Sequence, residues 1–528
     1  MNKRLMRQAG GLCFAASLLC ATACFAQDQR GDWPLAGSDA GQNGWQKDEL
    51  GLSPESVAAK FKLLWKIKLG QAPKDGRSFS EPLLAGRLIN AQGFKDIVYW
   101  SSADTLYAVD SELGSLIWKK QFNDGKAEVG KASPGCGVSS LNMLMEPPVV
   151  INFAARRRRP PGTPRPPDPP VAQPTERRLG VAPGGGYFGL KGIYVLTSDG
   201  MMHEQVMTTG ADFAPPVKFL PAANAGAYGL NFNSKTIFTA AGRDCGGVPN
   251  GLWAIDLTSA EYPVTHYSTE KVRPITLTGP AVTPEGTSIL ITGAGDSDAS
   301  AGVHAGSVVL IGKDMKVEDW YTPEAGMANY TGVTPITFAF KERQVVVAPG
   351  KDGNLVLLDA KSLGGADHHT PLYETPAVSK PGEKHGWDGF ASWIEKDGTT
   401  WVLASVSAGL SLNDGGVNGT NLHGGVVAFK VVDADGKFAL KPVWVSPDMV
   451  NPTPPRVANG VVVALAGGNA TAHAVLHVLN AQTGAELYSS KDEIPTYSDL
   501  SGVAVGDSHA FFTDHDNVLY SFGIGLEH

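Results

Sequence analysis

The sequence predicts an all-β fold: an eight-bladed β-propeller of four-stranded blades, closed into a ring by its own N-terminal strand. Three observations predict it. Gly (63 residues) and Pro (36) are abundant while charged residues make up only 18%, a balance that suits short strands joined by tight turns and excludes coiled coils and long helical bundles. A unit of short β-rich runs and turns recurs along the chain. The last copy of that unit stops one strand early, and an orphan strand precedes the first copy.

Residues 1–26 stand apart from the fold. Lys3, Arg4 and Arg7 form a basic head, an apolar run follows from Gly11, and Ala26 offers a small cleavage position before Gln27. This is the pattern of a secretory signal peptide, too short for a spanning helix. Ala21-Thr22-Ala23-Cys24 resembles a lipid-attachment box, but it has Ala where a larger aliphatic residue usually stands, so cleavage after Ala26 is the expectation. No later run is apolar enough to span a membrane, and a periplasmic or secreted location follows. Removing the leader removes three bases and no acid, which deepens a formal charge of −8. An acidic chain argues against a nucleic-acid partner. Of the five cysteines, only Cys136 and Cys245 remain in the mature chain.

Residues 27–60 form an N-terminal extension, and 61–528 the propeller. The first full unit, Asp96 to Phe122, holds a β-rich run, a turn at Ala103-Asp104, a second run ending Ala108-Val109-Asp110, then Gly114 and a strand carrying Trp118. Similar units begin at Gly192, Leu252, Ser307, Val345, Gly424 and Ala474, and the final one covers the stretch from His509. A short strand introduced by Pro or Gly precedes most of them, as at Glu81-Pro82, Pro147-Pro148, Gly279-Pro280 and Thr334-Pro335. Four strands per period of about sixty residues make propeller blades, eight in all. The orphan strand at 61–70 is expected to complete the last blade beside Asn517–Phe522, which removes two open sheet edges. The Arg/Pro-rich stretch 156–178 cannot bury a core and is expected to be a disordered surface insertion.

The pattern Ala108-x-Asp110-x-x-x-Gly114-x-x-x-Trp118 resembles the tryptophan-docking repeat of the pyrroloquinoline-quinone (PQQ) β-propellers, with Leu113 where that family usually has Thr. A weaker copy is Asn480-x-x-Thr483-Gly484-x-x-x-Tyr488. The opening Asp32-Trp33-Pro34, Gly37-Ser38-Asp39, Leu52-Ser53-Pro54 and Leu64-Trp65 resembles the start of quinoprotein dehydrogenases. The repeat residues have structural work: Gly for a turn, Asp for turn amides, Trp for packing between blades. The rival WD40 class wants Trp-Asp at the end of each blade, and here Trp387-Asp388 occurs once, at a blade's start.

Propellers carry ligands on the face that holds the loops between blades and between second and third strands. Those loops are long and polar here, including Arg243–Asn250, Gly295–His304, Leu412–His423 and Gly467–His473, and they mark the expected surface for a small-molecule substrate or a protein partner. The segment Lys384-His385-Gly386-Trp387-Asp388-Gly389 resembles the His-x-x-Trp-Asp segments near the quinone of quinoprotein dehydrogenases. The resemblance implies Asp388 and His385 as catalytic residues, Asp388 serving as base, and Trp387, Asn421 and His423 as cofactor contacts for PQQ held with Ca²⁺. A strand-opening turn with Asp388 capping backbone amides is the plain alternative.

Other features weigh against catalysis. The sequence has no adjacent Cys pair of the kind that covers the cofactor in many of these enzymes, and no Cys-x-x-Cys-His haem site. The calcium-binding Glu/Asn/Asp set is not assignable. His368-His369 and Asp514-His515-Asp516 lack zinc-site spacing and fall in expected turns, so no metal ligands are assigned. Two functions follow: a quinoprotein-like oxidoreductase acting on an alcohol or sugar, or a non-catalytic scaffold of the outer-membrane assembly type. Cys136 and Cys245, on loops that propeller topology brings to one face of adjacent blades, are expected to form a disulfide in an oxidising compartment.

Overall fold

The computed structural model describes residues 31–70, 80–122 (apart from 91, 92 and 103), 141–145, 179, and 192–525 apart from 224–225, 243–244, 277, 324–332, 352, 381–385, 412–417, 419–420 and 499–501. Eight antiparallel sheets run in chain order around a ring. Blade 1 shows the plan, with strands Leu83–Asn90, Gly93–Ser101, Thr105–Asp110 and Leu116–Gln121 from the axis outwards. The third strand is wholly buried and the outermost mixes exposed and half-buried positions, so apolar residues concentrate on the middle strands. Aliphatic and aromatic side chains fill the space between neighbouring blades in clusters that span two or three blades each. That is where burial stabilises the ring.

The ring closes as the truncated last repeat requires. Strand Lys62–Lys68 pairs antiparallel with Val518–Gly523, completing blade 8. Each of the eight blades then has four antiparallel strands, blade 7 gaining a short parallel fifth from Trp45–Gln46, and the outer edge of blade 8 is covered.

The docking repeat works as the sequence implied. Asp110 Oδ1 accepts from the amides of Glu112 and Leu113 at 3.1 and 3.0 Å, which fixes the turn that Gly114 completes at φ +63°. The ring of Trp65, on the closing strand, lies over Gly114, where a Cβ would fall 2.6 Å from it, and Trp65 Nε1 donates to the Ser111 carbonyl at 2.8 Å. Trp118 docks in the same way on Gly210, and Trp444 on Gly484. Each outer-strand Trp therefore ties one blade to the turn of the next.

The N-terminal extension threads the central channel. Trp33 and Leu84 of blade 1 exchange backbone hydrogen bonds, and the carbonyls of Pro34, Ala40, Gly41, Asn43 and Gly44 accept from Met145, Val282, Thr337, Ser392 and Val457 of blades 2, 4, 5, 6 and 7. Asn231 of blade 3 donates to Ala40 O, and Gln46 reaches Val505 O of blade 8. One short segment thus bonds to the innermost strand of all eight blades. Among the described residues no helix is long and apolar enough to cross a membrane.

Candidate functional site

A pocket of about 20 Å³ lies above this central segment, lined by Gly37, Gln42, Thr278, Thr334, Ile336, Asp388, Gly389, Phe390, Pro454 and Arg456. Room of that size admits a single polar group or a water, so a larger ligand would extend from it into the space beneath the loops. Thr278, Thr334 and Pro454 precede the innermost strands of blades 4, 5 and 7, and Asp388 stands at the start of that of blade 6. In antiparallel blades the innermost strand starts on the face that also carries the turns between second and third strands. The pocket therefore opens toward the long polar loops.

Asp388 is the free carboxylate of this wall. It sits on Trp387–Ile394, where the register slips between Trp387 and Gly389, and Ser407 Oγ donates to its Oδ2. Burial pushes the carboxyl up to about 7, against the opposing pull of the Ser407 hydrogen bonds. A group poised there can hold or release a proton near neutral pH.

Gln42 forms part of the floor. Its backbone is left-handed, at φ 63°, and the side chain is almost fully buried. Thr278 Oγ1 donates to Gln42 Oε1 at 2.9 Å and lies 2.9 Å from Thr334 Oγ1. That contact orients the amide and leaves Nε2 a buried donor without a hydrogen-bond partner. A buried amide donor without a partner costs about 1–3 kcal/mol, which a ligand oxygen would relieve.

The cationic wall is already engaged. Arg456 Nη2 donates to Glu81 Oε2 at 2.5 Å, and Glu81 Oε1 accepts from Trp33 Nε1 at 2.8 Å and the Gly37 amide at 3.1 Å. Arg456 also donates through Nε to Val503 O at 3.0 Å. This buried pair holds the central segment, blade 1 and blade 7 together and keeps a guanidinium edge at the pocket.

The sequence-derived candidates separate here. Asp388 lines the pocket, and Trp387 is the first residue of the same strand. His385 lies outside the described residues. Asn421 and His423 are not among the lining residues: Asn421 directs its amide to the carbonyls of Gly424, Ser446 and Pro447, and His423 is exposed and bonded through Nδ1 to Asp448 at 2.6 Å. His368 stacks on Trp320 and pairs with Asp319 at 2.9 Å, and Asp514 accepts from Tyr520. Cys245 is fully buried in blade 3's second-to-third loop, and Cys136 lies outside the described residues. Gln42, Thr278 and Arg456 carry no signal in the sequence, and Glu81 and Thr334 stand out there only as introductions to inner strands. The quinoprotein-like opening around Trp33 and Gly37 was the signal that pointed toward two of their partners.

Comparison with solved structures fits this architecture. The quinohemoprotein alcohol dehydrogenase of Comamonas testosteroni superposes with a TM-score of 0.57 at 13% identity, covering 95% of this chain and 82% of that one. A europium-containing methanol dehydrogenase gives 0.52 at 12%, covering 93% and 98%. A quinohemoprotein alcohol dehydrogenase from Pseudomonas putida HK5 gives 0.54 at 12%, covering 94% and 81%. At these identities the likeness is one of fold, an eight-bladed β-propeller. No protein family model matches the chain, and no curated protein matches it.

The described residues suit part of a quinone site. Gln42 Nε2 is an unused donor for a ligand oxygen, and the Arg456 guanidinium beside it is already paired with Glu81. Calcium is less well served. Among the described lining residues Asp388 is the one carboxylate, and its raised pKa opposes the ionised form that a hard cation needs.

Proposed function

We propose that this chain is an exported quinoprotein-type oxidoreductase acting on an alcohol or sugar hydroxyl, with the Asp388 pocket as its site. The observation that carries the proposal is a carboxyl with a pKa raised to about 7 at the mouth of the central channel, beside a buried amide donor without a hydrogen-bond partner. A bound quinone would supply the two-electron acceptor. The chain's own residues would do the rest. Gln42 Nε2 would hold a quinone oxygen, and ionised Asp388 would take the proton of the substrate hydroxyl. The Thr278–Thr334 hydroxyl pair fixes the Gln42 amide in place. No step is assigned to calcium.

The test is dye-linked oxidation by the purified chain with PQQ and Ca²⁺ across alcohols and sugars. Turnover that Asp388→Asn lowers by about a hundredfold or more supports the reading. Absence of turnover across the panel, or full activity in the variant, refutes it. A scaffold function is the second reading. It is favoured by the central segment, which bonds to every blade and makes the channel a rigid hub, and by the lack of an adjacent Cys pair.

A further inference from the structure

On the opposite face, where blade 8 meets blade 1, a second cluster is unrelated to the pocket. The turn Asp507-Ser508 joins Ala504–Gly506 to His509–Thr513, both turn residues having positive φ. Glu112 projects from the docking turn of blade 1, and Glu49 from the central segment accepts the Ser508 amide at 2.9 Å. The ligand atoms of Glu112, Asp507 and His509 all lie within 4.8 Å of one another.

His509 gives this cluster its meaning. The residue is 1% exposed. Its Nδ1 lies 2.5 Å from the Asp507 carbonyl, a contact that needs the proton on Nδ1 and leaves Nε2 with its lone pair. Nε2 has no hydrogen-bond partner, and it faces Glu112 Oε2 at 3.9 Å. A backbone carbonyl that fixes the imidazole tautomer is the usual outer support of a metal-bound histidine. The surroundings are acidic. Glu49, Glu112 and Asp507 meet at this turn, while the nearby Lys95 is already paired with Asp110 at 2.6 Å. A divalent cation would bring the carboxylates to terms with one another and satisfy the imidazole.

We propose that Glu112, Asp507 and His509 form a binding site for a divalent first-row transition ion, which staples the seam where the ring closes. One imidazole nitrogen with two carboxylates suits Zn²⁺, Co²⁺ or Mn²⁺ and not Ca²⁺ or Mg²⁺, which take oxygen ligands. Glu112 is 27% exposed along its side chain, which gives the ion a way in. The site is independent of the quinone reading, because it lies at the other end of the channel.

The test uses the full chain stripped with chelator, titrated with Co²⁺ and Zn²⁺ by calorimetry and visible absorption, and melted with and without metal. One ion per chain is expected, with Co²⁺ bands that report nitrogen ligation and a higher melting temperature with Zn²⁺ than with Ca²⁺. Glu112→Gln and His509→Gln should each weaken binding by at least about tenfold. Absence of saturable Co²⁺ binding, binding unchanged in Glu112→Gln, or equal stabilisation by Ca²⁺ overturns the proposal. Should His509→Gln fail to fold, Glu112→Gln decides alone.

Discussion

Asp388 and the Glu81–Arg456 pair share one wall of the channel and meet burial in opposite ways. The pair is satisfied: three donors reach Glu81, and Arg456 gives a further hydrogen bond to Val503 O. Removing one member leaves a buried charge, so Glu81→Ala or Arg456→Ala should lose about 3–5 kcal/mol in chemical denaturation. Asp388 instead raises its pKa to about 7. Between the unfolded carboxyl pKa near 3.8 and about 7, the native state holds a proton that the unfolded state has released. Stability therefore falls as pH rises through that window and levels off above it. Asp388→Asn should remove the decline, melting above the wild type at pH 8 and close to it at pH 4. The same ionisation should make dye-linked turnover climb with pH through about 7 in the wild type.

At the scale of the element, the docking turn joins local conformation to packing between blades. Gly484 has φ +71°, and a Cβ there would fall 2.7 Å from the Trp444 ring. Gly436 has φ +82° in a turn where a Cβ would meet nothing within 4 Å. Gly436→Ala should therefore cost about 1 kcal/mol of backbone strain, and Gly484→Ala an overpacking loss of about 1–3 kcal/mol beyond it. Equal losses in equilibrium unfolding would show that the Trp contact contributes nothing. These turns were legible in the sequence because Asp, Gly and Trp act at fixed offsets within one hairpin. The blade count and the closing strand were legible for the same reason, as was the position of Asp388 on its strand. The pocket floor was not. Gln42 meets Thr278 across 236 positions, and Glu81 meets Arg456 across 375, so no local periodicity reports either contact. Asn421 and His423 stood in a long loop on the expected face, but their side chains satisfy neighbouring carbonyls and Asp448.

Across the whole molecule, closure depends on residues far apart in the chain: Lys62–Lys68 against Val518–Gly523, and the central segment against every blade. The insertion 156–178, outside the described residues, falls between strands Asn142–Met145 and Gly192–Leu196 of blade 2. Its deletion should leave the melting temperature within a degree or two, because lengthening a connection changes closure entropy little; a large drop would make it packed structure. A Cys136–Cys245 bond would close a loop of more than a hundred residues, worth about 4–5 kcal/mol in the chain-entropy model, and non-reducing peptide mapping of the protein purified under oxidising conditions should recover the two cysteines together. Separately alkylated thiols would contradict it. The proposed function sets a quinone against Asp388 and Gln42, at the hub of this ring. Equilibrium titration of the purified chain with PQQ, followed by fluorescence, tests it most directly. Saturable one-to-one binding that Gln42→Leu weakens by about tenfold, the equivalent of one lost hydrogen bond, is the expected result; no saturable binding, or binding indifferent to Gln42→Leu, would contradict it.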